Sequence, residues 1–107
     1  MKKENEFVTY SGEDIIEAFS EVEYILISLR DISNYYYHHP ERPVTDETAV
    51  AYALETTRFI DQNRINDRLN KIRRILEEPF DNGVGDDDMD DIERVVDKLK
   101  FWRKPGD

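Results

Sequence analysis

Residues 23–29 read EYILISL. By composition this stretch is a strand, because aromatic and β-branched residues suit a pleated sheet. Its surroundings decide otherwise. Ile15, Phe19, Val22, Leu26 and Leu29 recur at spacings of four, three, four and three, and Ile25, Ile32 and Tyr36 widen that stripe. Glu13, Glu17, Glu21 and Glu23 supply an acidic face beside it. This is helical periodicity, broad enough for the core of a bundle. Ser11 precedes Gly12-Glu13-Asp14, which places a hydroxyl at the N-cap and acids beside the exposed amides of the first turn. Pro40 disfavours the α region in the residue before it, so the helix is expected to end ahead of that point.

Downstream, Pro40 and Pro43 bracket a short connection, and Thr45 offers a second cap, with Asp46 and Glu47 in the first turn. Ala49, Ala53, Thr56 and Ile60 form the next stripe, flanked by Tyr52 and Phe59. Ile65, Leu69, Ile72 and Leu76 form another. At about 100° per residue these two stripes point to nearly opposite sides of one straight helix. A break within DQNR (residues 61–64) is therefore expected, with Asp61 or Asn63 capping the third helix. The alternative is one long helix gripped on opposite faces by different neighbours. Pro79 ends the third helix, and DNGVG (residues 81–85) reads as a loop. Ile92, Val95, Val96, Leu99 and Trp102 then predict a last amphipathic helix, acidic at its start and basic at its end, stopped by Pro105-Gly106. The expected fold is all-α, a small single-domain four-helix bundle over residues 1–107. Residues 1–10 read as a loose N-terminal segment, or with EFVTY (residues 6–10) packed as a cap on the first helix.

Several function classes recede on totals alone. There is no cysteine, hence no disulfide, zinc-thiolate site or thiol nucleophile. No apolar run follows the N-terminal lysines, and none approaches a membrane span, so a soluble cytoplasmic protein with no membrane partner is expected. The net charge of −10 argues against direct nucleic-acid binding through phosphate neutralisation. It suits a basic protein partner, whose approach long-range attraction would speed. The charge is uneven: residues 81–97 hold eight acids against one base, and residues 98–104 hold four bases and no acid.

Three clusters hold residue types that could carry chemistry. Asp86, Asp88 and Asp90 alternate like the first ligands of a calcium loop, but Asp91 stands where the turn glycine belongs and Asp97 where the bidentate glutamate belongs. His38 and His39 are adjacent, so their side chains diverge and no third ligand joins them. Arg64, Arg68, Lys71, Arg73 and Arg74 alternate with Asp61, Asp67, Glu77 and Glu78, which reads as a solvated, salt-bridged face rather than an RNA surface. No metal, cofactor or catalytic group is expected, and the chain does not read as an enzyme. The remaining signal is NYYYHHPERP (residues 34–43). Three consecutive helical tyrosines span more than half the circumference. Tyr36 continues the stripe, so Tyr35 or Tyr37 must be partly exposed, and tyrosine is enriched at binding hot spots. The expected partner-binding residues are Tyr35, Tyr36 and Tyr37 with the acids Asp86, Asp87, Asp88, Asp90 and Asp91.

Adjacent tyrosines followed by proline (YYYHHP), an acid-rich loop (GDDDMDD) and a last helix ending in a tryptophan-arginine pair (IERVVDKLKFWRKPG) resemble the nuclease-colicin immunity family. In size and charge the chain also resembles the immunity proteins of contact-dependent growth inhibition. The first resemblance implies toxin contact by Tyr36, Tyr37, Asp86, Asp87 and Asp88, and a cognate toxin domain as the basic partner. Here the second and third helices stand between the tyrosines and the acidic loop, which the family pattern does not have. Two other functions compete with it: an acidic nucleic-acid mimic that inhibits a DNA-binding enzyme, and a metal-regulated adaptor.

Overall fold

A computed structural model describes residues 1–106. Among them the chain is all-helical, with α1 (Gly12–Tyr37), α2 (Asp46–Gln62), α3 (Ile65–Glu77) and α4 (Asp91–Asp97), a 3-10 turn at Lys3–Asn5 and no strand. No helix of the described residues is long and apolar enough to cross a membrane. EYILISL lies in the middle of α1, where the length of the period outweighs strand propensity.

The helix ends follow local chemistry. The Ser11 hydroxyl accepts the Asp14 amide at 3.0 Å, and α1 stops at Tyr37, ahead of Pro40. Thr45 and Thr48 form a reciprocal capping box at the start of α2, each hydroxyl accepting the other's amide. The expected break within DQNR is present. Asn63 closes α2, and Arg64 takes a left-handed backbone at φ 51°, which interrupts the helix and re-aims the next stripe. Asn63 does not cap α3, however. Its amide nitrogen donates back to the Phe59 carbonyl and its side-chain oxygen accepts the Tyr24 hydroxyl.

Two compact units result: Ser11–Leu76, and Met1–Tyr10 together with the chain from Glu77 onward. The first is a helical hairpin. Tyr36 and Tyr37 of α1 meet Tyr52 of α2, Tyr24 meets Phe59, and Glu21 and Glu17 meet Arg68 and Lys71 of α3. Sequence order runs oppositely along the two sides, so α2 lines the C-terminal half of α1 and α3 the N-terminal half. The cross-helix ion pairs correct the expectation for the basic helix. Arg64 does bridge Asp67 one turn on, but Arg68 and Lys71 take their acids from α1. Arg68 also lies over the Tyr24 ring, 4.1 Å from its centroid. On α2 the side chains turned inward are Tyr52, Thr56 and Phe59, while Ala49, Ala53 and Ile60 stay exposed. Rings bury more area than alanines, so they take the contact.

The second unit is held by polar groups. Asn5 is only 3% exposed. Its Nδ2 donates to the Asp81 carbonyl at 3.1 Å and to Asp91 Oδ2 at 2.7 Å, and its Oδ1 accepts the Asp81 amide at 2.8 Å. The Lys2 amide donates to the same Asp91 oxygen, and Lys2 Nζ bridges Asp81 at 2.6 Å. The N-terminal segment is therefore not a loose lead, because Lys2 and Asn5 tie it to the acids at 81 and 91. Within EFVTY, Phe7 is exposed. The last helix is shorter than its stripe. α4 ends at Asp97, and the Lys98 and Leu99 amides turn back to Val95 and Val96 with tight three-residue bonds. Leu99 and Trp102 lie beyond it, exposed. Seven residues with two adjacent valines have little helical stability of their own without packing.

Candidate functional site

The tyrosines lie in the hairpin and the acidic run in the terminal unit. In the hairpin the three tyrosines separate by role. Tyr37 is half-buried, edge-on to Tyr52 with ring centroids 5.2 Å apart. Tyr36, also half-buried, meets Tyr52 at 6.4 Å and Tyr35 at 4.9 Å. Tyr35 is 49% exposed, and the Arg42 guanidinium from the following loop lies over its ring at 3.6 Å. The exposed member is thus Tyr35, while Tyr36 and Tyr37 fasten the end of α1 to α2.

Beside Tyr35 the surface dips into an open cleft of about 380 Å³, lined by Asp31, Ile32, Tyr35, Tyr36 and Glu55. Four of these come from α1 at i, i+1, i+4 and i+5, which lie on one helical face. Glu55 arrives from α2. Two carboxylates and two aromatic rings around a small apolar floor suit a cationic head group. The carboxylates supply charge and hydrogen-bond acceptors, and the rings supply their negative faces. Arg42 already shows that the Tyr35 ring takes a guanidinium.

The adjacent histidines belong to the turn. The His39 Nδ1 accepts the Glu41 amide at 3.2 Å, so that nitrogen is committed to the loop.

In the other unit the acidic run is largely occupied by the chain itself. Arg94 grips Asp87 with two nitrogens at 2.8 and 2.9 Å and reaches Asp91 at 2.7 Å. The hydrogen bonds from Arg94 hold the Asp87 carboxyl well below the usual carboxylate range and raise the guanidinium in turn. Asp91 is 6% exposed, and the Asn5 amide, the Lys2 backbone N–H and Arg94 hold it low. Asp90 is the N-cap of α4, in a capping box with Glu93. Of the five acids expected to face a partner, Asp87, Asp90 and Asp91 therefore have structural partners. Asp86 and Asp88 are exposed, and Asp88 takes a left-handed backbone at φ 60°.

Sequence reasoning missed the cleft acids Asp31 and Glu55. Asp31 was legible as a neighbour of Tyr35 one turn away on α1. Glu55 was not, because only the pairing of α1 with α2 brings it there. Comparison with family models, with curated proteins and with solved structures finds no match to this chain.

Proposed function

We propose that this chain is a small acidic binding protein of bundle type, which captures a basic protein partner by seating a lysine or arginine side chain in the cleft at Tyr35. The observation that carries this reading is the cleft itself, with the Asp31 and Glu55 carboxylates around the Tyr35 and Tyr36 rings. The net charge of −10 supports it, since the field draws a basic surface in before contact. Exposed Asp86 and Asp88 add to that field. The partner class that best fits is a nuclease-type toxin domain, neutralised by direct block, as an immunity protein does. The nucleic-acid mimic is less favoured, because Glu17, Glu21, Asp81, Asp87 and Asp91 are paired with cations of the chain instead of forming a phosphate-like row.

Co-expression with the C-terminal domain of a toxin encoded beside its gene tests the reading. The expected result is rescue of growth and a complex that co-purifies. Asp31→Asn with Glu55→Gln, and separately Tyr35→Ala, should each speed dissociation on the order of 10-fold or more without altering the fold. Tyr37→Ala should instead lower the melting temperature, since Tyr37 packs on Tyr52. Neither rescue nor a complex would end the toxin reading. A complex insensitive to all three cleft residues would remove the cleft from it.

A further inference from the structure

The last apolar stripe outruns its helix. Ile92, Val95, Val96, Leu99 and Trp102 recur at helical spacing, yet α4 stops at Asp97 and residues 99–103 have no regular structure. Val95, Val96, Leu99 and Trp102 are exposed, Leu99 at 53% and Trp102 at 70%. So short a helix is marginal in water, and an apolar surface under the stripe would supply the burial it lacks.

The same segment reverses the sign of the chain's charge. Residues 98–104 hold Lys98, Lys100, Arg103 and Lys104 and no acid. On a helix carried through residue 104, at about 100° per residue, Val95, Val96, Leu99 and Trp102 occupy an arc of roughly 120°. Lys98 flanks that arc on one side, and Lys100 and Lys104 flank it on the other. Arg103 follows Trp102 at the far end, where its long side chain can reach outward to polar groups. Asp97 falls on the opposite side with Phe101. The other acids of α4 are engaged within the unit: Glu93 in the capping box with Asp90, and Asp91 with Asn5 and Arg94.

We infer that residues 95–104 lie as an amphipathic helix on an anionic lipid surface. Charge complementarity selects that surface. An apolar stripe flanked by lysines, with a tryptophan at its end, matches acyl chains beneath a layer of negative head groups. Charge acts over about 8 Å at physiological salt, so this local excess of bases is felt at contact despite the net −10 of the chain. A nucleic acid shares the negative charge but fits less well. Its bases stack on rings, and Val95, Val96 and Leu99 offer none. Its affinity rests mainly on phosphate neutralisation, which the net charge opposes, whereas lipid adds apolar burial that the net charge does not touch.

Trp102 is the one tryptophan in the sequence, so its emission reports on the segment directly. The full chain is titrated with vesicles of phosphatidylcholine and phosphatidylglycerol, with vesicles of phosphatidylcholine alone, and with a single-stranded oligonucleotide. The expected result, with the mixed vesicles only, is a shift of Trp102 emission to shorter wavelength, co-sedimentation and a gain in helical circular dichroism, all reversed by high salt. Lys98→Gln with Lys100→Gln and Lys104→Gln should weaken that binding by roughly 100-fold. Val95→Asn with Leu99→Asn should weaken it by at least about 10-fold. All five side chains are exposed, so neither variant removes a packed contact. No response to the mixed vesicles, equal binding to the neutral ones, or binding indifferent to the lysines would overturn the inference. Quenching of Trp102 by the oligonucleotide with no response to vesicles would overturn it too and assign the segment to nucleic acid.

Discussion

The hairpin and the terminal unit solve the same problem by opposite means. The hairpin is nearly all helix, with rings, Ala18 and Ile65 between its sides and ion pairs along one edge. The terminal unit has one short helix and a 3-10 turn, and is organised around Asn5 and Asp91, two buried polar residues that satisfy each other and four further groups. Helices satisfy their own backbone, so the hairpin can use side chains for packing. Loops cannot, so the terminal unit uses side chains to satisfy backbone. The second arrangement is the more brittle to substitution, because a lost member leaves its partners buried and unpaired.

The largest single effect should come from the hairpin. Ile65 is the one large apolar residue buried there, and Ile65→Ala should cost about 3 kcal/mol by loss of transfer energy and the cavity left behind. Hydrogen exchange should place that loss in α1–α3 amides. An equal loss in the terminal unit would show that the two regions unfold as one and erase the distinction.

Asn5→Ala should come next, at about 2 kcal/mol, because the Asp81 amide and carbonyl and one Asp91 oxygen lose their partner. Its signature should be reversed: faster exchange at residues 81–91, with α1 amides unchanged. A variant with unaltered exchange there would show that the network is incidental.

A smaller effect, about 1 kcal/mol, is expected for Thr45→Ala, which removes half of the α2 capping box. Fraying should be confined to the first turn of α2, and Thr45→Ser should restore it.

Smallest per group is the acid response. Asp81, Asp87 and Asp91 in the terminal unit and Glu21 in the hairpin all have carboxyls held below their ordinary values, by Lys2, Arg94, Asn5 and Arg68 respectively. A lowered folded-state value contributes stability above the unfolded-state value and loses it as pH falls through the folded one. Stability should therefore hold from neutral pH to about 5 and decline below about 4. With three such carboxylates against one, exchange at residues 81–94 should accelerate more steeply below about pH 4 than exchange in α1. Equally steep loss would contradict the division.

Much of this fold is legible in the residues. Ser11, Thr45, Pro40 and Pro79 mark helix ends because capping and proline geometry are local. The break at Asn63-Arg64 follows from a phase conflict between two stripes, also local. What failed was the assignment of faces. The Ala49–Ala53–Ile60 stripe yields to Tyr52 and Phe59, and α4 stops short of Leu99. The acids at 87, 90 and 91 face inward to Arg94, Asn5 and the helix start.

The sequence by itself therefore determined the helical secondary structure, the limits of α1, α2 and α3 and the sign of the chain's field, since each depends on residues within a few positions of one another or on a sum over all of them. Only the tertiary structure decided which face of each helix is used, which acids are already paired, and that Glu55 joins Asp31 beside Tyr35. Those outcomes are settled by competition among residues far apart in sequence, as with Asn5 reaching Asp91 and Arg68 reaching Glu21. Periodicity shows that a face exists, and the area and hydrogen bonds available across the fold decide what meets it.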